Sequence, residues 1–142
     1  MGTDGLNRPN DQPRRDTDVV SYVFKNHPFG SRYDAELAGR IPLISFMTVA
    51  EIERWVLQYR WGNQRIQWLR AFLQRFTVVR SSPDLCGKWA AVMVTAQAAG
   101  RRIESADAWI AATALLHDAP LLTNNRNDYL GVAGLTLISH AP

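Results

Sequence analysis

Cysteine is nearly absent from this chain: Cys86 stands alone among 142 residues, so no internal disulfide can form. A reducing compartment, the cytosol, is the expected location. No apolar run approaches the roughly 20 residues that span a bilayer. Met1 to Arg15 is polar and lacks the apolar centre of a secretory leader. Lysine is scarce as well, with only Lys25 and Lys88. Neither follows a late strand, which disfavours a phospho-receiver despite a compatible layout. There is no glycine-rich phosphate loop, no CxxC pair and no convincing Ser/His/Asp order. Acid is missing over one long stretch. From Arg54 to Pro83 there is no Asp or Glu, while Arg54, Arg60, Arg65, Arg70, Arg75 and Arg80 recur every five or so residues. Such a stretch attracts a polyanion or an acidic partner. A five-residue step advances about 140° on a helix, so these six arginines do not form a single stripe.

What is present reads as a globular domain. Hydrophobic residues make up 46% and charged residues 20%, with a net charge of +3. Residues 1–15 read as a disordered tail and 16–142 as one domain, large enough to bury a core without staples. Val19 to Phe24 forms a short apolar segment, with Thr17 or Asp18 placed to cap it as a helix, and Ser31 to Ala38 suggests a second short helix. Ile41 to Phe46 is a candidate strand. Thr48-x-x-Glu51 matches a capping box, followed by Ile52, Trp55, Val56 and Tyr59 at helical spacing. Gly62-Asn63 interrupts, and Ile66, Leu69 and Leu73 mark another helix. Phe76 to Val79 is β-prone. Ser82-Pro83-Asp84 opens a helix that Gly100 ends. Ser105 to His117 is an Ala-rich helix, Pro120 to Thr123 a strand, and Leu135 to Ile138 a last strand. Strands alternating with helices predict a parallel sheet covered on both faces. Cys86 reads as core, and Trp61 as the most exposed of the tryptophans.

The chemistry concentrates in acids at strand-to-helix junctions. Asp107 begins the Ala-rich helix, Asp16 and Glu51 hold similar places upstream, and Asp128 follows the strand that ends near Thr123-Asn124-Asn125. Each has a local structural role available, such as capping a helix or shaping a turn. Together they are better explained by a parallel sheet that collects such junctions at one edge. Clustered carboxylates repel one another until protons or a hard divalent cation neutralise them. A cation held there activates water and stabilises charge developing on a phosphodiester. His27, His117 and His140 read as turn, helix-end and tail residues.

At these residues the chain resembles the PIN-domain family, specifically the VapC-type toxins of type II toxin–antitoxin pairs. The resemblance runs from about Asp16 to Ser139. It is carried by Asp16-Thr17-Asp18-Val19-Val20-Ser21-Tyr22, by Ser45 through Thr48-Val49-Ala50-Glu51, by Gly100-Arg101-Arg102-Ile103 through Asp107 to Ala114, and by Thr123-Asn124-Asn125 through Asp128-Tyr129. It implies a three-layer α/β/α fold with a central parallel sheet of four to five strands. It further implies that Asp16, Glu51, Asp107 and Asp128 bind Mg²⁺ or Mn²⁺, and that the chain hydrolyses RNA, tRNA or rRNA, leaving a 5′-phosphate. Asn125 stands where many relatives carry a further acid and is expected as a neutral ligand or orienting group. Thr123 and Arg126 are expected at the substrate phosphate. A homodimer is implied, restrained by a cognate antitoxin whose tail meets the Arg54 to Arg80 helices.

One feature departs from the family pattern. Relatives approach the first acid along an apolar central strand, whereas Asn10-Asp11-Gln12-Pro13-Arg14-Arg15 precedes Asp16 here. A proline and two arginines in a central strand are costly. The strand is therefore expected to be very short or to lie elsewhere. The alternative reading follows: a weakened or inactive PIN-like module that acts by binding antitoxin or RNA.

Overall fold

A computed structural model describes residues 17–20 and 39–139 of the chain. Among them the strands are β1 (Thr17–Val20), β2 (Ile41–Ser45), β3 (Thr77–Val79), β4 (Leu121–Leu122) and β5 (Leu137–Ile138). The helices are α1 (Phe46–Gln58), α2 (Asn63–Leu73), α3 (Pro83–Ala98) and α4 (Ser105–Leu116), with a 3-10 turn at Arg126–Tyr129. The strands run parallel in the order β3-β2-β1-β4-β5, with β1 central. The expected parallel sheet between helical layers is present.

Two-residue alternation sorts the strands into two cores. Val19, Leu43 and Leu121 pack with Val92, Ala108, Ala111 and Ala114, the faces of α3 and α4. Val20, Ile44 and Leu122 pack with Ile52, Val56 and Leu69, the faces of α1 and α2. Successive strand side chains point to opposite faces, so a strand buried on both sides must be apolar at consecutive positions. That requirement explains the paired Val-Val, Leu-Ile and Leu-Leu. Small alanines on α4 let that helix lie close to the sheet, and Ala108, Ala111, Ala112 and Ala114 are fully buried.

Two boundaries differ from expectation, and one lies beyond reach. Val19 and Val20 belong to the central strand rather than to a helix. Ser31 to Ala38 lies outside the described residues. Helix α1 starts at Phe46, capped by Ser45, whose hydroxyl accepts the Met47 N–H at 3.0 Å. Thr48 is buried within the first turn, so the expected capping box does not form. Helix α3 ends as expected at a glycine. Gly100 takes φ +73°, its N–H reaches the Gln97 carbonyl, and the Arg101 N–H reaches the Ala96 carbonyl at 2.9 Å. Two side chains are also placed differently. Cys86 is exposed on α3 rather than buried. Trp68, at 48%, is the tryptophan most open to solvent, while Trp61 is half-buried.

Candidate metal centre

Helices in a parallel sheet begin where strands end, so the carboxyl edge of the sheet gathers the first turns of α1 and α4 and the segment after β4. Helix α4 starts behind Glu104, and Asp107 sits in its first turn. The start of α4 is braced by rings from three helices. Trp109 stacks on Trp89 at 5.0 Å and meets Phe46 edge-on at 5.3 Å. The Trp89 indole N–H donates to the Ser105 carbonyl at 3.3 Å. These contacts tie α1, α3 and α4 together close to Asp107.

The segment after β4 is folded back on the same place. The Thr123 hydroxyl accepts the Asn125 N–H at 3.0 Å, and the Asp128 N–H donates to the Asn125 carbonyl. Gly131 then passes against Arg101. A Cβ at Gly131 would lie 2.8 Å from the Arg101 carbonyl oxygen and Cβ, so only glycine allows this approach. The closure brings Tyr129, 3% exposed, to Asp107, and its hydroxyl donates to Asp107 Oδ1 at 3.4 Å.

Asp107 is surrounded by like charge. Its pKa is raised from 3.8 to about 6, first by burial, then by the charges of Asp128 and Glu51; the Tyr129 hydroxyl opposes the rise and Glu104 adds to it. Glu51, from the second turn of α1, and Asp128, from the 3-10 turn, are thus electrostatic neighbours of Asp107. Of the four expected acids, Glu51 and Asp128 act on Asp107 through their charge. Asp16 lies outside the described residues.

The remaining expected residues take varied positions. Asn125 and Arg126 are exposed on the turn, and Arg126 Nη2 reaches the Leu137 carbonyl at 3.4 Å. Thr123 is buried, its N–H bonded to the Ile138 carbonyl and its hydroxyl to the turn, so its visible work is to shape the loop. Tyr129 and Glu104 were not anticipated as partners of Asp107. Tyr129's adjacency to Asp128 was the signal available, since a buried tyrosine needs a partner for its hydroxyl.

The donor chemistry fits a hard divalent cation: a carboxylate, Asp107, whose proton affinity is raised by the charges of Asp128 and Glu51, at an edge where water can fill the remaining positions. Among the described residues, no three Asp, Glu, His or Cys side chains stand close enough to enclose a metal ion together. Val20, at the carboxyl end of β1, lies level with Leu122 and is fully buried. The described acid of this strand, Asp18, is 1% exposed and bound by Arg40 Nε at 2.6 Å. It is held within the fold, two residues before the edge.

The arginine-rich stretch is less uniform than its composition suggests. Arg70 is paired with Glu53, contrary to the expectation of six uncompensated arginines. Arg65 lies over the Trp61 ring at 3.9 Å and Arg75 over Phe72 at 5.1 Å.

The PIN domain family model matches residues 15–134. Ribonuclease VapC1 from Haemophilus influenzae (strain R2866) is 30% identical over 125 residues, covering 84% of this chain and 91% of the relative. Among solved structures, VapBC2 from Rickettsia felis bound to a promoter DNA fragment superposes with a TM-score of 0.76 at 22% identity. That match covers 87% of this chain and 98% of the other. VapBC-5 from Mycobacterium tuberculosis gives 0.70 at 23% identity, with the same two coverages.

Proposed function

The chain belongs to the PIN-domain family, in its VapC branch, and from that membership we propose that it is an endoribonuclease dependent on Mg²⁺ or Mn²⁺, the toxin of a toxin–antitoxin pair. One observation carries the reading. The charges of Glu51 and Asp128, residues far apart in sequence, both act on Asp107 in the first turn of α4, which supports a shared site. Asp107 would anchor the cation, with Glu51 and Asp128 contributing charge around it and water or Asn125 completing its surroundings. When bound, such an ion supplies Lewis acidity toward the scissile phosphodiester. Asp107 is kept in place by Tyr129 and by the Trp89–Trp109–Phe46 brace, so the carboxylate need not reorganise when charge arrives. Arg126, exposed beside Asp128, is positioned to meet a substrate phosphate. A cognate antitoxin, a homodimeric state and a cytoplasmic location belong to the same proposal. No helix among the described residues is long and apolar enough to cross a membrane.

The test is incubation of the purified chain with total tRNA and rRNA in Mg²⁺, Mn²⁺ or EDTA, followed by mapping of the cut ends. Discrete cuts with 5′-phosphates, abolished by EDTA, are expected. Cleavage indifferent to EDTA contradicts the proposal.

A second reading is favoured by the register of β1. That strand delivers Val20 to the active edge, and Asp18 is neutralised by Arg40. Among the described residues no central-strand carboxylate reaches the acid edge, and such a site suits a weakened nuclease or a module that binds antitoxin or RNA without turnover. Mn²⁺ binding that depends on Asp107, without cleavage of any RNA, is its expected signature.

A further inference from the structure

Outside the acid edge, the molecule carries a second ordered feature on α2. Trp61, Arg65, Trp68, Phe72 and Arg75 follow at steps of four, three, four and three residues. At about 100° per residue Arg65, Trp68 and Phe72 fall on one side of α2, and Trp61 and Arg75 flank that helix just beyond its two ends. The contacts form two groups along this side. Arg65 covers Trp61 at 3.9 Å, Trp68 stacks on Phe72 at 5.4 Å with planes 7° apart, and Arg75 covers Phe72 at 5.1 Å. The aromatic bases of the row are anchored, because Trp61 and Phe72 pack on the core below. Trp68 remains 48% exposed although Phe72 covers one of its faces.

A large aromatic ring held half open costs hydrophobic free energy that a structural role does not require. Its neighbours decide what it suits. The stretch from Arg54 to Pro83 holds no acid, so the field around Trp68 is positive and complementary to a polyanion. Among the described residues, Glu53 from α1 reaches this helix and is engaged by Arg70. Alternating rings and guanidinium groups match the two repeating parts of a single-stranded nucleic acid, bases that stack and phosphates that pair. The exposed members of the row are Arg65, Trp68 and Arg75, with no aliphatic side chain among them. An amphipathic peptide helix seeks aliphatic sockets at such spacing.

We propose that the Trp61–Arg75 row is a second RNA-binding surface, which holds a single-stranded segment by stacking bases on Trp68 and pairing phosphates with Arg65 and Arg75. The proposal rests on the ribonuclease reading for its choice of RNA. Helix α1 links the two places, since it carries Glu51 at the acid cluster and Glu53 at Arg70.

The experiment is fluorescence anisotropy with a 3′-fluorescein, unstructured 12-nucleotide RNA and the full chain carrying Asp107→Asn. EDTA is present throughout, with KCl at 50 and 200 mM. Trp68→Ala is expected to weaken binding about tenfold and Trp68→Phe to restore most of it. The double change Arg65→Gln, Arg75→Gln is expected to reduce the salt slope by about 1.4, the share of two single-strand phosphates. Unchanged affinity in a Trp68→Ala protein with a native circular dichroism spectrum overturns the proposal. So does full RNA affinity in a Trp68→Ala protein that has lost self-association or capture of an acidic antitoxin peptide. Cleavage of tRNA by the unaltered chain is measured in parallel. Cleavage with Trp68-independent binding removes only this surface, whereas absence of both binding and cleavage removes the ribonuclease reading with it.

Discussion

Asp18 and Asp107 are both sheltered carboxylates near the same sheet, and their neighbours carry opposite signs. Asp18, on the central strand, is bound by Arg40 and buried almost completely. Asp107, at the carboxyl edge of the sheet, faces the charges of Asp128, Glu51 and Glu104, with one tyrosine hydroxyl in support. A buried charge with its counter-ion belongs to the fold. A buried charge among like charges is destabilising, and it persists where something absent from the folded chain is to be bound.

The largest effect that separates the two is on turnover. Asp107→Asn is expected to lower Mg²⁺-dependent RNA cleavage by at least about a hundredfold while preserving the fold, the scale at which such electrostatic groups act. Gel-based kinetics measure it. Cleavage unchanged in a rigorously purified variant removes Asp107 from the site.

Next comes stability at the other carboxylate. Arg40→Met leaves Asp18 buried without its counter-ion and is expected to cost about 3–5 kcal/mol in urea unfolding. The double change Arg40→Met, Asp18→Asn should recover much of that loss, because no charge is then stranded. A cost below about 1 kcal/mol would make the pair an exposed surface bridge in energetic terms.

The pH dependence has the opposite sign at Asp107. Its folded pKa of about 6 exceeds the ordinary value of 3.8, so the folded chain binds the proton more tightly than the unfolded chain. Stability contributed by this group is therefore present below about pH 4 and lost as pH rises through 6. Asp107→Asn is expected to be more stable than the parent at pH 7, by about 1–2 kcal/mol after allowance for partial exposure, and equally stable near pH 4. Scanning calorimetry at the two pH values checks the crossing. A variant less stable than its parent at pH 7 contradicts the like-charge account.

The smallest effect belongs to the exposed Arg70–Glu53 pair. The Arg70 guanidinium lowers the pKa of Glu53 chiefly by hydrogen bonding. Arg70→Gln should still change stability by less than about 1 kcal/mol, since solvent and salt screen such pairs.

Much of the acid edge was legible because it is built from local punctuation. Ser82-Pro83 and Gly100 delimit α3, and Ser105 through Leu116 carries the alanines that α4 needs against the sheet. Glu51, Asp107 and Asp128 stood out as acids at junctions, and parallel topology makes such junctions neighbours. What was not legible depends on tertiary placement. Val19-Val20 begins an apolar run too short to distinguish helix from strand, and its role as the central strand is decided by Leu43 and Leu121 on either side. Arg40 as the counter-ion of Asp18 follows from that register and from nothing local. Cys86 and Trp68 lie on helices whose composition hides which face is outward, and the packing of α3 and α2 settles it. Tyr129 reaches Asp107 across 22 positions of sequence because Gly131 lets the turn close against Arg101.

Calorimetric titration with Mn²⁺ at pH 6, comparing the unaltered chain with Asp107→Asn, tests the acid cluster most directly. Binding is expected in the unaltered chain, with protons released as the cation displaces them, and little or none in the variant. Equal heats and equal affinity in the two proteins would contradict a shared ion among these carboxylates.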